Sequence, residues 1–139
     1  MDYTGRPNNF MTKETIDPQT LAEFCVREAE EKKAANIVSL KVSEVTTITD
    51  YFVLCTAQSE PQMKALAGWI QKCVFEEFKL KPAAIDGVSA SKWILIDFST
   101  VIIHIMTPEM RERYQLEDLW SDAPKLEDLQ KLEELSGKK

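Results

Sequence analysis

The sequence holds one histidine, His104, seven residues after an aspartate, Asp97, within WILIDFSTVIIHIM (93–106). An imidazole held by a carboxylate is the arrangement of a general base. The same pair is also an ordinary structural ion pair, and its neighbours decide between the two. A serine nucleophile would need a local motif such as G-x-S-x-G, which is absent. A metal site would need clustered His and Cys. The four glycines (5, 68, 87 and 137) stand alone, and none forms a phosphate-cradling loop between a strand and a helix. Nucleotidyl transfer needs two or three carboxylates gathered around Mg²⁺. The chain has no D-x-D, and Asp50 and Asp97 are single acids on separate segments. Asp97 and His104 are therefore expected to act as an orienting pair inside a contact surface. No catalytic residue, metal or cofactor is expected.

The segment carrying the pair reads as a hairpin turning at Ser99-Thr100, with Phe98 opposite Val101. Side chains alternate between the faces of a strand. One face then carries Ile94, Ile96, Phe98, Val101, Ile103 and Ile105, all apolar, and belongs to a core. The other carries Trp93, Leu95, Asp97, Ile102, His104 and Met106 and has the mixed character of a docking surface. In this register Leu95 faces His104 and Asp97 is its diagonal neighbour, ~7–8 Å away. The chain then breaks at Thr107-Pro108 into a short helix.

Ahead of the hairpin, Asp17-Pro18 starts a helix as N-cap and N1. Its apolar face runs from Leu21 to about Ala35, and Asn36 ends it. Ile37, Val38, Leu40 and Val42 form a first strand, 43–50 a turn or single helical turn, and Tyr51 to Thr56 a strand covered on both faces. Ser59 and Gln62 frame a capping box. The helix that follows carries Met63, Leu66, Ala67, Ile70, Cys73, Val74 and Phe78 on one stripe. Trp69 and Phe75 fall off it, to be covered by the N-terminal helix or used in a second contact. Residues 79–91 read as a loop.

The 139 residues support one domain with its own core: a flexible leader over 1–16, a domain over 17–122 and an acidic, helix-forming tail over 123–139. Strands interleaved with helices indicate an α/β fold. Net charge is −6, much of it between Glu117 and Glu134, where seven acids stand against two lysines. That balance opposes a bare nucleic-acid binder and suits a basic partner. The opening residues lack the apolar core of a signal peptide, and no apolar run has the length of a membrane span. Cys25, Cys55 and Cys73 are odd in number, widely spaced and set among apolar residues, so buried free thiols and a cytoplasmic location are expected.

Three blocks, SEVTTITDYFVLCTAQS (43–59), WILID…VIIHIM (93–106) and RERYQLEDLW (111–120), resemble the ribosomal silencing factor (Iojap-related) family over roughly residues 18–122. The resemblance implies a nucleotidyltransferase-like fold, a mixed sheet with flanking helices, lacking the catalytic motifs. It implies docking on the large ribosomal subunit through a basic ribosomal protein at an intersubunit bridge. Such docking would keep the subunits apart and repress translation, and the resemblance also implies self-association. Trp93, Asp97, His104, Met106, Tyr114 and Glu117 are the expected partner contacts. Trp93 and Met106 would be the apolar anchors, with Tyr114 and Glu117 extending the patch. The competing use of Trp93 and Tyr114 is packing of the hairpin on the final segment, to which Arg111, Leu116, Leu119 and Trp120 are mainly assigned. The chain departs from the family pattern at Ala57–Gln62, where a turn glycine and an Arg-His pair are replaced, and at Ser99-Thr100, where Gly-Asp is usual. The alternatives are a divergent nucleotidyltransferase-like enzyme and a plain dimerisation module.

Overall fold

Asp17 caps the first helix, α1 (Pro18–Glu31): its carboxylate accepts the Thr20 N–H at 3.0 Å. The computed structural model describes residues 16–87 and 92–115. α1 ends four residues before Ala35, earlier than its apolar pattern suggests. Lys33 enters the left-handed region at φ 63, and the Ala34 N–H donates to the Ala29 carbonyl at 3.0 Å. The Lys33 N–H meets the Glu30 carbonyl, which completes a Schellman closure with lysine in the position glycine usually takes. Ala35 and Asn36 are already in the first strand, where the register slips between Ala35 and Val38 and Asn36 takes φ 49.

That strand is β1 (Ala35–Lys41). It pairs antiparallel with β2 (Tyr51–Thr56), which is buried at every position. Ser59 caps α2 (Glu60–Phe78) by accepting from the Gln62 N–H at 3.2 Å. The Gln62 side chain reaches back to the Gln58 N–H, one residue beyond the partner expected of a capping box. Met63, Leu66, Ala67, Ile70 and Val74 of the stripe are buried. Trp69 is covered by α1, donating to Glu28 Oε1 at 2.9 Å, whereas Phe75 stays exposed. The segment expected to be only loop contains β3 (Ala84–Asp86), exposed throughout. Three residues with an exposed face show too little periodicity to register in sequence.

β4 (Trp93–Asp97) and β5 (Val101–Met106) form the expected hairpin, with Leu95 opposite His104 and Asp97 opposite Ile102. Ser99 supplies the positive φ, 76°, that a two-residue turn requires at its first position. β5 runs parallel to β2, so the sheet order is β1-β2-β5-β4-β3 and the sheet is mixed. Thr107 then caps α3 (Pro108–Tyr114).

The period-two alternation divides the core. Tyr51, Val53, Cys55, Ile94, Ile96, Phe98, Val101, Ile103 and Ile105 pack with α1 and α2. Leu40, Val42, Phe52, Leu54, Ile102 and Met106 form a second cluster on the opposite face, joined by Trp93, Leu95 and Met110. Cys25 and Cys55 are buried free thiols as expected, while Cys73 is only half-buried. Among the described residues no helix is long and apolar enough to cross a membrane, and no three His, Cys, Asp or Glu side chains gather as metal ligands.

Candidate contact surface around Trp93

The face of the second cluster carries Trp93, Asp97, His104 and Met106 of the expected site residues. His104 sits at the centre of its face, between Leu54 on one neighbouring strand and Leu95 on the other. It is 6 % exposed. With only apolar neighbours in register, burial penalises the imidazolium, and its pKa falls from the ordinary 6.5 to about 4. His104 is therefore neutral.

Its hydrogen bond fixes the tautomer. Trp93 Nε1 lies 3.1 Å from His104 Nδ1. An indole N–H can only donate, so Nδ1 accepts and the proton resides on Nε2. Among the described residues Nε2 has no hydrogen-bond partner, although the ring stands edge-on to Phe52 with centroids 5.1 Å apart.

The Asp97–His104 pair expected from the sequence does not form. Asp97 Oδ1 instead accepts the Ser99 N–H at 2.7 Å and braces the turn, two residues away. The physical reason is local: a short aspartate side chain reaches its own turn amide more readily than a diagonal neighbour ~7–8 Å across the sheet. The partner of His104 is Trp93, which can span that distance.

Met106 is fully buried in the second cluster, so in this chain it supports the sheet from within and offers no exposed anchor. Trp93 is half-buried, and its ring packs against Tyr114 of α3 with centroids 5.1 Å apart. The expected packing of hairpin on final segment is thus real. It coexists with exposure, because Tyr114 is 47 % accessible. Glu117, Leu116, Leu119 and Trp120 lie outside the described residues, as do residues 1–15 of the leader and the tail; Ile16, the leader's last residue, packs against the core.

α3 is held in place from below by Arg111. Its guanidinium donates to the Asn36 carbonyl at 2.7 Å and to Thr56 Oγ1 at 2.9 Å. Arg111 is 8 % exposed, so one buried cation ties α3 to β1 and β2. Asn36 stands in the irregular stretch of β1 with φ 49, and its carbonyl is the one that Arg111 uses, a relation that residue spacing alone does not reveal.

These supports leave an open apolar groove of about 330 Å³ lined by Trp93, Leu95, Met110, Asp86 and Gly87. Met110 and the β3 residues were missed in the sequence. Met110 belongs to a helix too short to display a stripe, and β3 was hidden in a loop. Ile85, on the same edge strand, is 48 % exposed, and Lys92 and Glu109 make a solvent-exposed ion pair at 3.3 Å. A half-buried indole beside an open apolar groove has the anatomy of a protein-contact anchor.

A family model described as "Ribosomal silencing factor during starvation" matches residues 15–139. The chain is 34 % identical over 109 residues to ribosomal silencing factor RsfS of Halalkalibacterium halodurans, covering 78 % of this chain and 92 % of that protein. It is 32 % identical over 119 residues to the chloroplastic protein Iojap of Arabidopsis thaliana, covering 84 % of this chain and 49 % of the relative. Among solved structures it resembles a Chromobacterium violaceum protein, with TM-score 0.71, 27 % identity, and coverage of 76 % of this chain and 88 % of that one. The match to that structure extends to the α/β architecture of a five-stranded mixed sheet with flanking helices.

Proposed function

The chain belongs to the ribosomal silencing factor family, whose members are non-enzymatic ribosome-binding factors, and from that premise we propose how it works. It docks on a basic protein of the large ribosomal subunit at an intersubunit bridge. While docked, it excludes the small subunit and represses translation in the cytoplasm. The observation that carries the reading is the indole of Trp93, half-buried beside the groove it forms with Leu95 and Met110. Trp93 is the anchor, Tyr114 extends the apolar contact, and Asp86 and Asp97 place carboxylates at its border. The net charge of −6 suits a basic target and raises the encounter rate more than the lifetime of the complex. His104 and Met106 serve the surface from beneath, since both are buried. Glu117 follows α3 in the chain and belongs to the proposed contact as an extension of it.

The test is to mix the protein with purified subunits and follow joining by sedimentation. The joined peak should fall as the protein saturates the large subunit, and the protein should co-sediment with that subunit. Replacing Trp93 with Ala should weaken docking at least tenfold, about 1.4 kcal/mol or more, as expected for a hot-spot aromatic. Unchanged joining at saturating protein, without co-sedimentation, overturns the proposal.

A further inference from the structure

We infer that His104 is a positioning residue for docking, acting through Trp93: its Nδ1 holds the indole N–H and so fixes how the indole lines the groove. The inference rests on the reading of Trp93 as the docking anchor. It assigns to His104 a role different from the direct contact that the sequence suggests.

Four observations lead to it. His104 is too deeply buried, at 6 % exposure, to be a useful contact itself. Its Nδ1 is 3.1 Å from Trp93 Nε1, the only polar atom of the Trp93 side chain. The imidazole is itself fixed on the sheet, by Leu54 and Leu95 in register and by Phe52 edge-on. Finally, the bonded indole lines the groove, with Tyr114 packed against its ring.

The arrangement is directional. A tryptophan held only by apolar contacts can turn about its two side-chain torsions, and an anchor free to rotate loses binding entropy when it docks. A hydrogen bond to a fixed imidazole removes that freedom before the partner arrives. The choice of histidine also has a reason. An aliphatic residue at 104 would fill the space but leave a half-buried N–H without this acceptor. A carboxylate would accept the bond but carry a charge into an apolar cluster. A neutral imidazole accepts at one nitrogen and still packs as a flat ring.

Two variants separate positioning from bulk. His104→Phe keeps a ring of similar size and removes the acceptor. His104→Asn loses volume but places a carbonyl oxygen close to where Nδ1 was. The readouts are large-subunit affinity by sedimentation and the indole N–H resonance of Trp93 in a ¹⁵N spectrum, assigned with Trp93→Phe. His104→Phe should shift that resonance, speed its exchange with solvent and reduce affinity by about tenfold, the scale of one lost hydrogen bond. His104→Asn should recover most of both. If Trp93→Ala weakens docking while His104→Phe leaves affinity and resonance unchanged, the inference is overturned and the docking reading stands. If Trp93→Ala leaves docking unchanged, the anchor reading falls and this inference with it. Equal losses in His104→Phe and His104→Asn, with the resonance restored only in Asn, also overturn it, because packing and not orientation would then set affinity.

Discussion

A neutral histidine in an apolar cluster makes the protein acid-labile in a window where little else titrates. Unfolded, the imidazole has the ordinary pKa near 6.5; folded, burial lowers it to about 4. Between these values the unfolded chain binds a proton that the folded chain refuses, so stability rises with pH and is lost as pH falls from 6.5 towards 4. Integrating the proton difference gives a loss of about 1 kcal/mol between pH 7 and 5.5, reaching about 2 kcal/mol by pH 5. Below that, carboxylates begin to contribute, but above pH 5.5 the interpretation is clean because the sequence has one histidine. The assay is urea unfolding followed by circular dichroism at half-unit pH steps, with ionic strength constant. Wild type should lose stability with a slope approaching ~1.4 kcal/mol per pH unit near pH 5, the value for one proton. His104→Phe should be flat from pH 7 to 5.5. A slope that survives in His104→Phe would assign the proton to another group, and a wild type equally stable at pH 7 and 5.5 would mean that the imidazole ionises as freely folded as unfolded; either result refutes the argument.

Three further outcomes follow from other parts of the molecule. Replacing Arg111 with Met keeps its length but strips Asn36 O and Thr56 Oγ1 of their donor, and should cost about 2–4 kcal/mol in urea unfolding, with α3 amides losing exchange protection first. Ser99→Gly removes the side chain at φ 76 and should raise stability by about 0.5–1 kcal/mol, measured as a higher melting temperature, with the hairpin register kept. Alkylation of the native protein should label Cys73 well before Cys25 and Cys55: burial pushes the Cys55 thiol up to about 12 and the Cys25 thiol higher still, so mass spectrometry after a short iodoacetamide pulse should find adducts at Cys73 alone.

How far the candidate site could be read from sequence depended on the range of each interaction. The hairpin register followed from turn position and alternation, and Leu95 does face His104. The polar partner within that hairpin did not follow. Alternation places Trp93, Asp97 and His104 on one face, but it says nothing of reach, or of the competing turn amide that takes the Asp97 carboxylate. β3 escaped because three exposed residues carry no pattern, and with it went one wall of the groove. The early end of α1 escaped because a lysine adopts the left-handed conformation that sequence habit assigns to glycine or asparagine.

Local and periodic information therefore determined the α/β class, the starts of the three described helices and the two faces of the hairpin. These properties are set by residues a few positions apart, whose chemistry is visible in the chain. Only the tertiary structure decided which side chains on the second face are buried, that Trp93 and not Asp97 partners His104, and that Arg111 fastens α3 to a bulge 75 residues away. Those outcomes depend on distance and dielectric, which exist only once strands distant in sequence have been laid side by side.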